Sequence, residues 1–391
     1  MENGSELVPD HQPKERIATL CQQEISMIVG SGMSYRKGLD LLNRLLHRSP
    51  DSSIKFRTYR DFCERSGKQI ENYMDRQSHD ILKAHGFDAE SGKPVSVPAA
   101  ELTQGAKPYT DEAVKSAIEK INAERLSPDE QIKFRQLQIE DSQETVYTSL
   151  DDIGVKHQKE HRSGETEKNG VYVWNTVAQI ETDSRSYTIT GVGMKKVFLY
   201  VLSYLLQQNL LAHKTLVFFT DGARDIFANI AELFSFHSYT IILDWYHLKK
   251  RCQEYLSMSV QGKEQRNIVL KKLLRILWAG NVGEALAYLQ SLDTVLLRPA
   301  NRIDDLYRYI EKHRDHIPPY ALRAELGLRN SSNRVEKAND LVVAQRQKHN
   351  GMSWSNTGSG ALAQITALII NDELGFWLNE RMIPAYSSIA A

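Results

Sequence analysis

The spacing of apolar positions divides the chain into regions of different period. Ile17, Leu20, Cys21, Ile25 and Ile28 form a helical stripe that stops at Gly30-Ser31-Gly32. Leu39, Leu41, Leu42, Leu45 and Leu46 outline a second helix behind Ser34, closed by Ser49-Pro50-Asp51, and KFRTYRDFCERSGKQI continues as a third. Residues 88–112, rich in Pro, Gly, Ser and Ala, read as a linker, and a charged helical pattern resumes over 110–137. From Glu144 the period becomes that of strands. Residues 146–150 form one that stops at Asp151-Asp152, before the polar stretch IGVKHQKEHRSGETEKNG. Residues 171–180 and 187–190 form a hairpin about Thr182-Asp183-Ser184, followed by a helix over 195–208. Two short apolar runs, 216–219 and 239–243, flank a helix over 224–234. They read as parallel strands covered on both faces.

Three strands in a meander, then helix, strand, helix, strand, is the order of a ribonuclease-H-like core. The expected fold class is therefore α/β, with a mixed five-stranded sheet. The strand signal disappears after His247, and residues 248–330 predict an all-α insertion after strand five. Five regions follow: helical residues 1–87 resembling a helix-turn-helix, a linker and charged helix over 88–143, a first core part over 144–247, the insertion over 248–330, and a second core part over 331–391. The last contains a helix over 333–348 with Glu336, the loop HNGMSWSNTGSG and a helix over 361–370.

At 391 residues the chain exceeds one small core, and 41% hydrophobic with 25% charged residues excludes wholesale disorder. Zero net charge conceals a local bias: residues 34–69 hold nine Lys or Arg against four Asp or Glu. Lys55, Arg57, Arg60, Arg65 and Lys68 alternate there with Phe56, Tyr59 and Phe62. That pattern suits either a DNA-binding all-α module or a solvated basic face on a helical bundle. Cys21, Cys63 and Cys252 are odd in number and far apart, as a reducing compartment permits. Without a signal-peptide pattern or a membrane-length apolar run, a cytoplasmic protein with no membrane partner is expected.

In sheets with parallel strands, ligands collect at the carboxyl edge, where Asp221 and Asp244 are predicted. Asp151 ends strand one and Glu336 lies on a late helix. Two or three carboxylates there suit Mg²⁺, a hard cation with oxygen ligands. Each acid has a plainer reading: Asp221 as a turn residue, Asp152 in place of Asp151, Glu336 as a solvated helix residue.

The segments VYTSLDDIGVKHQKEHR, TLVFFTDGARDIF, TIILDWYHLKKRC and NSSNRVEKANDLVVAQRQKHNGMSWS, in this order, resemble bacterial insertion-sequence transposases of the DDE superfamily, allied to the mutator-like group. Asp244-Trp245-Tyr246-His247 is similar to that group's motif after strand five. Glu336, Arg346, Gly351-Met352 and Trp354-Ser355 are similar to its end pattern. The family often has Gly-Ser-Gly before the Glu, where this chain has Asn330-Ser331-Ser332-Asn333. The resemblance implies catalysis by Asp151, Asp221 and Glu336 holding two Mg²⁺ or Mn²⁺ ions, with Asp152, Asp244 and His247 accessory. His247 then either contacts a phosphate or is a partly buried histidine. Arg346 joins the basic helix as a DNA contact, and Trp354 either stacks on an unpaired base or anchors its loop. The implied partners are double-stranded DNA, as terminal inverted repeats and target, and a second copy of the chain in a homodimer or larger assembly. The implied place is the bacterial cytoplasm, at the nucleoid.

Overall fold

The computed structural model describes residues 17, 19–96, 109–125, 127–133, 139–158, 172–212, 214–349 and 352–387. Thr19 and Ser34 start α1 (Leu20–Gly32) and α2 (Tyr35–Leu45) by accepting from Gln22 N and Lys37 N. They lead into α3 (Phe56–Ala84), 29 residues long. After α4 (Asp111–Ala123) come β1 (Thr145–Lys156), β2 (Tyr172–Glu181), β3 (Ser186–Val192), α5 (Met194–Gln207), β4 (Thr215–Thr220), α6 (Arg224–Leu233) and β5 (Tyr239–Leu243). Helices α7 (Trp245–Ser259), α8 (Lys263–Trp278), α9 (Val282–Gln290), α10 (Ile303–Lys312) and α11 (Tyr320–Glu325) follow. Then α12 (Asn333–Asn339) runs directly into a π-helical stretch, Asp340–Lys348, before α13 (Asn356–Ile370) and α14 (Leu374–Glu380).

The fold is α/β, with a five-stranded mixed sheet in the order β3-β2-β1-β4-β5. β1–β2 and β2–β3 are antiparallel, while β1–β4 and β4–β5 are parallel and need the crossovers that α5 and α6 supply. Ser149 is level with Phe219, and Thr220 with Leu243. Two residues beyond Ser149 and one beyond Leu243, Asp151, Asp221 and Asp244 therefore stand at one level, where β4 and β5 end.

The expected stop of strand one at Asp151-Asp152 is overturned. β1 continues to Lys156 because β2 keeps pairing with it, up to Lys156 opposite Tyr172. On its other side, where β4 has ended, Trp354 N donates to Lys156 O (2.9 Å) and Gln158 N donates to Trp354 O (2.8 Å). The polar reading of 153–156 thus gives way to strand, and 159–171 fall outside the described residues.

One core joins α1–α3, α5, α6, α12–α14 and the sheet, for example through Ile70, Leu82, Val201, Phe218 and Leu362. A second joins Tyr147, Val217, Phe219 and Ile242 to α7–α10 through Leu248, Leu273, Leu286 and Leu306. The N-terminal helices thus share the core of the sheet. Residues 88–96, within the expected linker, lie against α5 and α6, where Gly92 abuts Leu199 and Leu233. The rest of that linker, 97–108, lies outside the described residues. α3 crosses α13 so closely that a Cβ on Gly67 would collide with the Ala361 carbonyl. Gly67→Ala is accordingly expected to lower stability by about 3 kcal/mol, read as an earlier urea midpoint with an unchanged slope.

Candidate active site

β4 delivers Asp221 to a turn that glycine makes possible, since Gly222 adopts φ +92°. Asp221 Oδ1 accepts from Ala223 N (2.8 Å), a bond that closes the turn before α6, and the other oxygen is left for the cleft beside it. Asp151 and Asp152 alternate across β1 and face opposite sides of the sheet. Asp151 faces α12: Asn339 Nδ2 donates to its Oδ2 (2.6 Å) and Asp152 N to its Oδ1 (2.9 Å). Asp152 faces away, accepting from Thr176 Oγ1, and of the two acids only Asp151 shares a face with the Glu336 helix.

Glu336 reaches the edge from α12, and His247 Nε2 lies 3.0 Å from its Oε1. His247 Nδ1 is buried without a hydrogen-bond partner. Asp244 is 1% exposed and works as a tie. Its Oδ1 caps α7 by accepting from His247 N (2.9 Å), while Oδ2 accepts from Ser332 N and from Ser332 Oγ (2.9 Å). A single carboxylate therefore fixes the end of β5 to the segment that launches α12. Ser332, within Asn330-Ser331-Ser332-Asn333, supplies the hydroxyl that this tie uses.

Burial raises the Asp151 pKa, and the Asp221 charge raises it further against the bond from Asn339. Burial also raises Glu336, opposed by His247 and assisted by Asp244 and Asp151. A carboxyl whose folded pKa lies above its unfolded value destabilises the fold when ionised. That cost is full above the folded pKa and vanishes below the unfolded one. Asp151→Asn is therefore expected to stabilise the protein at neutral pH, less the cost of turning its amide NH₂ toward Asp152 N or Asn339 Nδ2. The gain should fade as pH falls into the carboxylate range, which thermal melts across pH will measure.

A cleft of about 130 Å³ is lined by Asp221, His247, Lys250, Arg251 and Glu254. Four of these recur at helical spacing along one face of α7, and Lys250 lowers the Glu336 pKa by its charge. A larger cavity, about 370 Å³ against β5, contains none of the acids. Oxygen donors at a strand edge are the right kind for Mg²⁺ or Mn²⁺. As the side chains lie, however, no three His, Cys, Asp or Glu among the described residues are gathered closely enough to hold a metal ion. Asn339 bonds one oxygen of Asp151, and His247 bonds one oxygen of Glu336.

No protein-family model matches the chain, and no curated protein does. Among solved structures it is similar to the Drosophila P element transposase strand transfer complex, with TM-score 0.26 and 8% identity over 93% of this chain and 82% of that one. At that score the likeness carries no argument.

Two expected DNA contacts are internal. Arg346 is 3% and Trp354 5% exposed; the guanidinium lies 5.1 Å from the Tyr35 ring centre and 4.8 Å from that of Trp354, and it donates to Gly30 O. Trp354 Nε1 donates to Gln347 O, and the residue anchors its loop. Both side chains pack inside the fold, Trp354 in the loop-anchoring way that was one of its two readings. Lys55, Arg57, Arg65 and Lys68 are exposed on α3 or its N-cap and Arg60 is half-buried, away from the face that meets α13 and α5. Several are partnered by acids of the same helix: Arg57 and Arg60 by Asp61, Lys68 by Glu71. Sequence reasoning missed Asn339, Ser332 and the cations of α7. Asn339 stands three residues after Glu336, and Lys249-Lys250-Arg251 follows His247 almost directly, so both signals were present. Ser332 had none, because its role depends on Asp244, 88 residues away.

No helix among the described residues is long and apolar enough to cross a membrane.

Proposed function

We propose that the protein is a DDE transposase with a ribonuclease-H-like core, allied to the mutator-like bacterial insertion-sequence enzymes, which cuts the ends of its element and joins them to target DNA. The observation that carries this reading is the level placement of Asp151 and Asp221 on adjacent parallel strands, with α12 bonded to Asp151 one turn after Glu336. In this reading Asp151, Asp221 and Glu336 hold two Mg²⁺ or Mn²⁺ ions. Bound there, the ions supply Lewis acidity for an in-line displacement at phosphorus. The chain's residues do the rest: Asp244 positions α12, His247 orients Glu336, and Lys250 with Arg251 draws the scissile phosphate into the cleft. Helices α7–α11 are the insertion, and the basic side of α3 meets the terminal inverted repeats. Joining two ends in one event calls for a homodimer or larger assembly in the bacterial cytoplasm.

Lys250→Ala is expected to weaken duplex binding roughly three- to tenfold at low salt and to reduce the salt slope by about one, measured by titration at several salt concentrations. The reading itself is tested by cleavage and joining of DNA that carries the element's own flanking ends, with Mg²⁺ or Mn²⁺. Joined products that disappear in Asp221→Ala and Glu336→Ala support it, and cut ends without joining turn it into a nuclease. The His247–Glu336 contact favours a second reading, a core that binds DNA without cutting it. Binding with neither nicks nor joined products would establish that instead.

A further inference from the structure

β2 carries two large aromatic side chains that the fold leaves in solvent: Tyr172 is 53% and Trp174 56% exposed. Of the five tryptophans, Trp174 alone is exposed. Both share one face of the β1–β2 ladder with Asp152, since Asp152 pairs with Thr176, Gly154 with Trp174 and Lys156 with Tyr172. Gly154 lacks a side chain and both rings lie over it: a Cβ there would meet Trp174 at 3.2 Å and Tyr172 at 3.4 Å. The rings are thus held down on the ribbon, centres 6.0 Å apart and planes 51° apart, with their outer faces open. Exposed Lys156 stands beside Tyr172 on the same face. Counting strand rise from Asp151, Trp174 lies about 10 Å and Tyr172 about 17 Å past the level at which the acids stand, on the opposite face of the sheet from Asp151.

We propose that Trp174 and Tyr172 form a stacking platform for unpaired bases of a nucleic-acid strand, with Lys156 neutralising its backbone. Aromatic faces accept any base, and a neighbouring cation offsets the phosphate charge, which is the chemistry of single-strand binding. Covering a strand glycine with a ring explains one aromatic residue over Gly154. It explains neither the second ring nor the open outer faces of both. The inference rests on the transposase reading for its purpose, holding a strand that leaves the acidic edge, while its measurement needs no catalysis.

The test uses the full chain in chelator, titrated with an oligo-dT strand and, separately, with a blunt duplex of equal length. Oligo-dT is expected to quench tryptophan emission of the wild type. Trp174→Ala should bind oligo-dT about tenfold more weakly with duplex binding unchanged. Trp174→Phe should keep the affinity and lose the quench. Oligo-dT binding by Trp174→Ala at wild-type strength, or binding by the wild type without quenching, overturns the proposal and means that the strand binds elsewhere on the chain. Absent DNA cutting with the Trp174-dependent quench intact would sink the transposase reading alone. Intact cutting with no Trp174 dependence would sink this proposal alone.

Discussion

Strand joining is expected to fall by about 10³-fold or more in Asp221→Ala, by as much in Glu336→Ala, and no further in the double variant. Carboxylates that act on one displacement form a unit, so removing the first already removes what the second contributes. The folded state should survive. Asp221 makes one turn bond, accepted from Ala223 N, and losing such a bond costs about 1 kcal/mol. Glu336 is more than a third exposed on its side chain and meets one partner, His247. Asp152→Ala is the informative control. It neighbours Asp151 in sequence but faces the other side of the sheet, bonded to Thr176. Joining should stay within roughly tenfold of the wild type there, since no metal-binding role is lost. A loss in Asp152→Ala equal to that in Asp221→Ala would mean that the acids have been assigned to the wrong face. Product gels with circular dichroism on the same preparations separate lost chemistry from lost folding.

Legibility in the sequence followed how local each cause was. β4 extends its run by one residue at each end, because burial on both faces leaves a continuous hydrophobic signal. β5 is found where its run lies, Tyr239–Leu243, although as the edge strand it buries only Ile242 and Leu243 and is not covered on both faces as expected. The Asp244 cap and His247 beyond it were equally readable, since capping spans three residues. The continuation of β1 was not. Ile153-Gly154-Val155 follows two acids, and what keeps it extended is the β2 ladder and the Trp354 segment, which is remote in sequence. Nor did any local feature announce that the helix of Glu336 widens to π geometry from Asp340, with His349 N reaching Ala344 O. Arg346 was expected as a DNA contact only through the resemblance, in whose end pattern it stands. The rings of Tyr35 and Trp354 that enclose it come together only in the folded chain.

Asp244→Ala is expected to be the most damaging single change to stability, on the order of 4 kcal/mol. The buried carboxylate accepts three hydrogen bonds, and its removal strands His247 N, Ser332 N and Ser332 Oγ, at about 1–3 kcal/mol for each donor left buried. Asp244→Asn keeps the shape but turns an amide NH₂ toward donors, so it should recover only part of the loss. Ser332→Ala removes the hydroxyl bond and keeps the backbone one, and about 1 kcal/mol should suffice. Urea midpoints in the order wild type, Ser332→Ala, Asp244→Asn, Asp244→Ala test the tie itself. A separate effect on joining follows from what the tie holds. Freeing Ser332 frees the start of α12, and a shift of about 1 Å at Glu336 is worth roughly a hundredfold in rate. Joining by Asp244→Asn, assayed at a temperature where it remains folded, should therefore fall well below that of Gly67→Ala, a variant destabilised without contact to the acids. Equal activity in the two folded variants would reduce Asp244 to a stability element and leave the placement of Glu336 to His247.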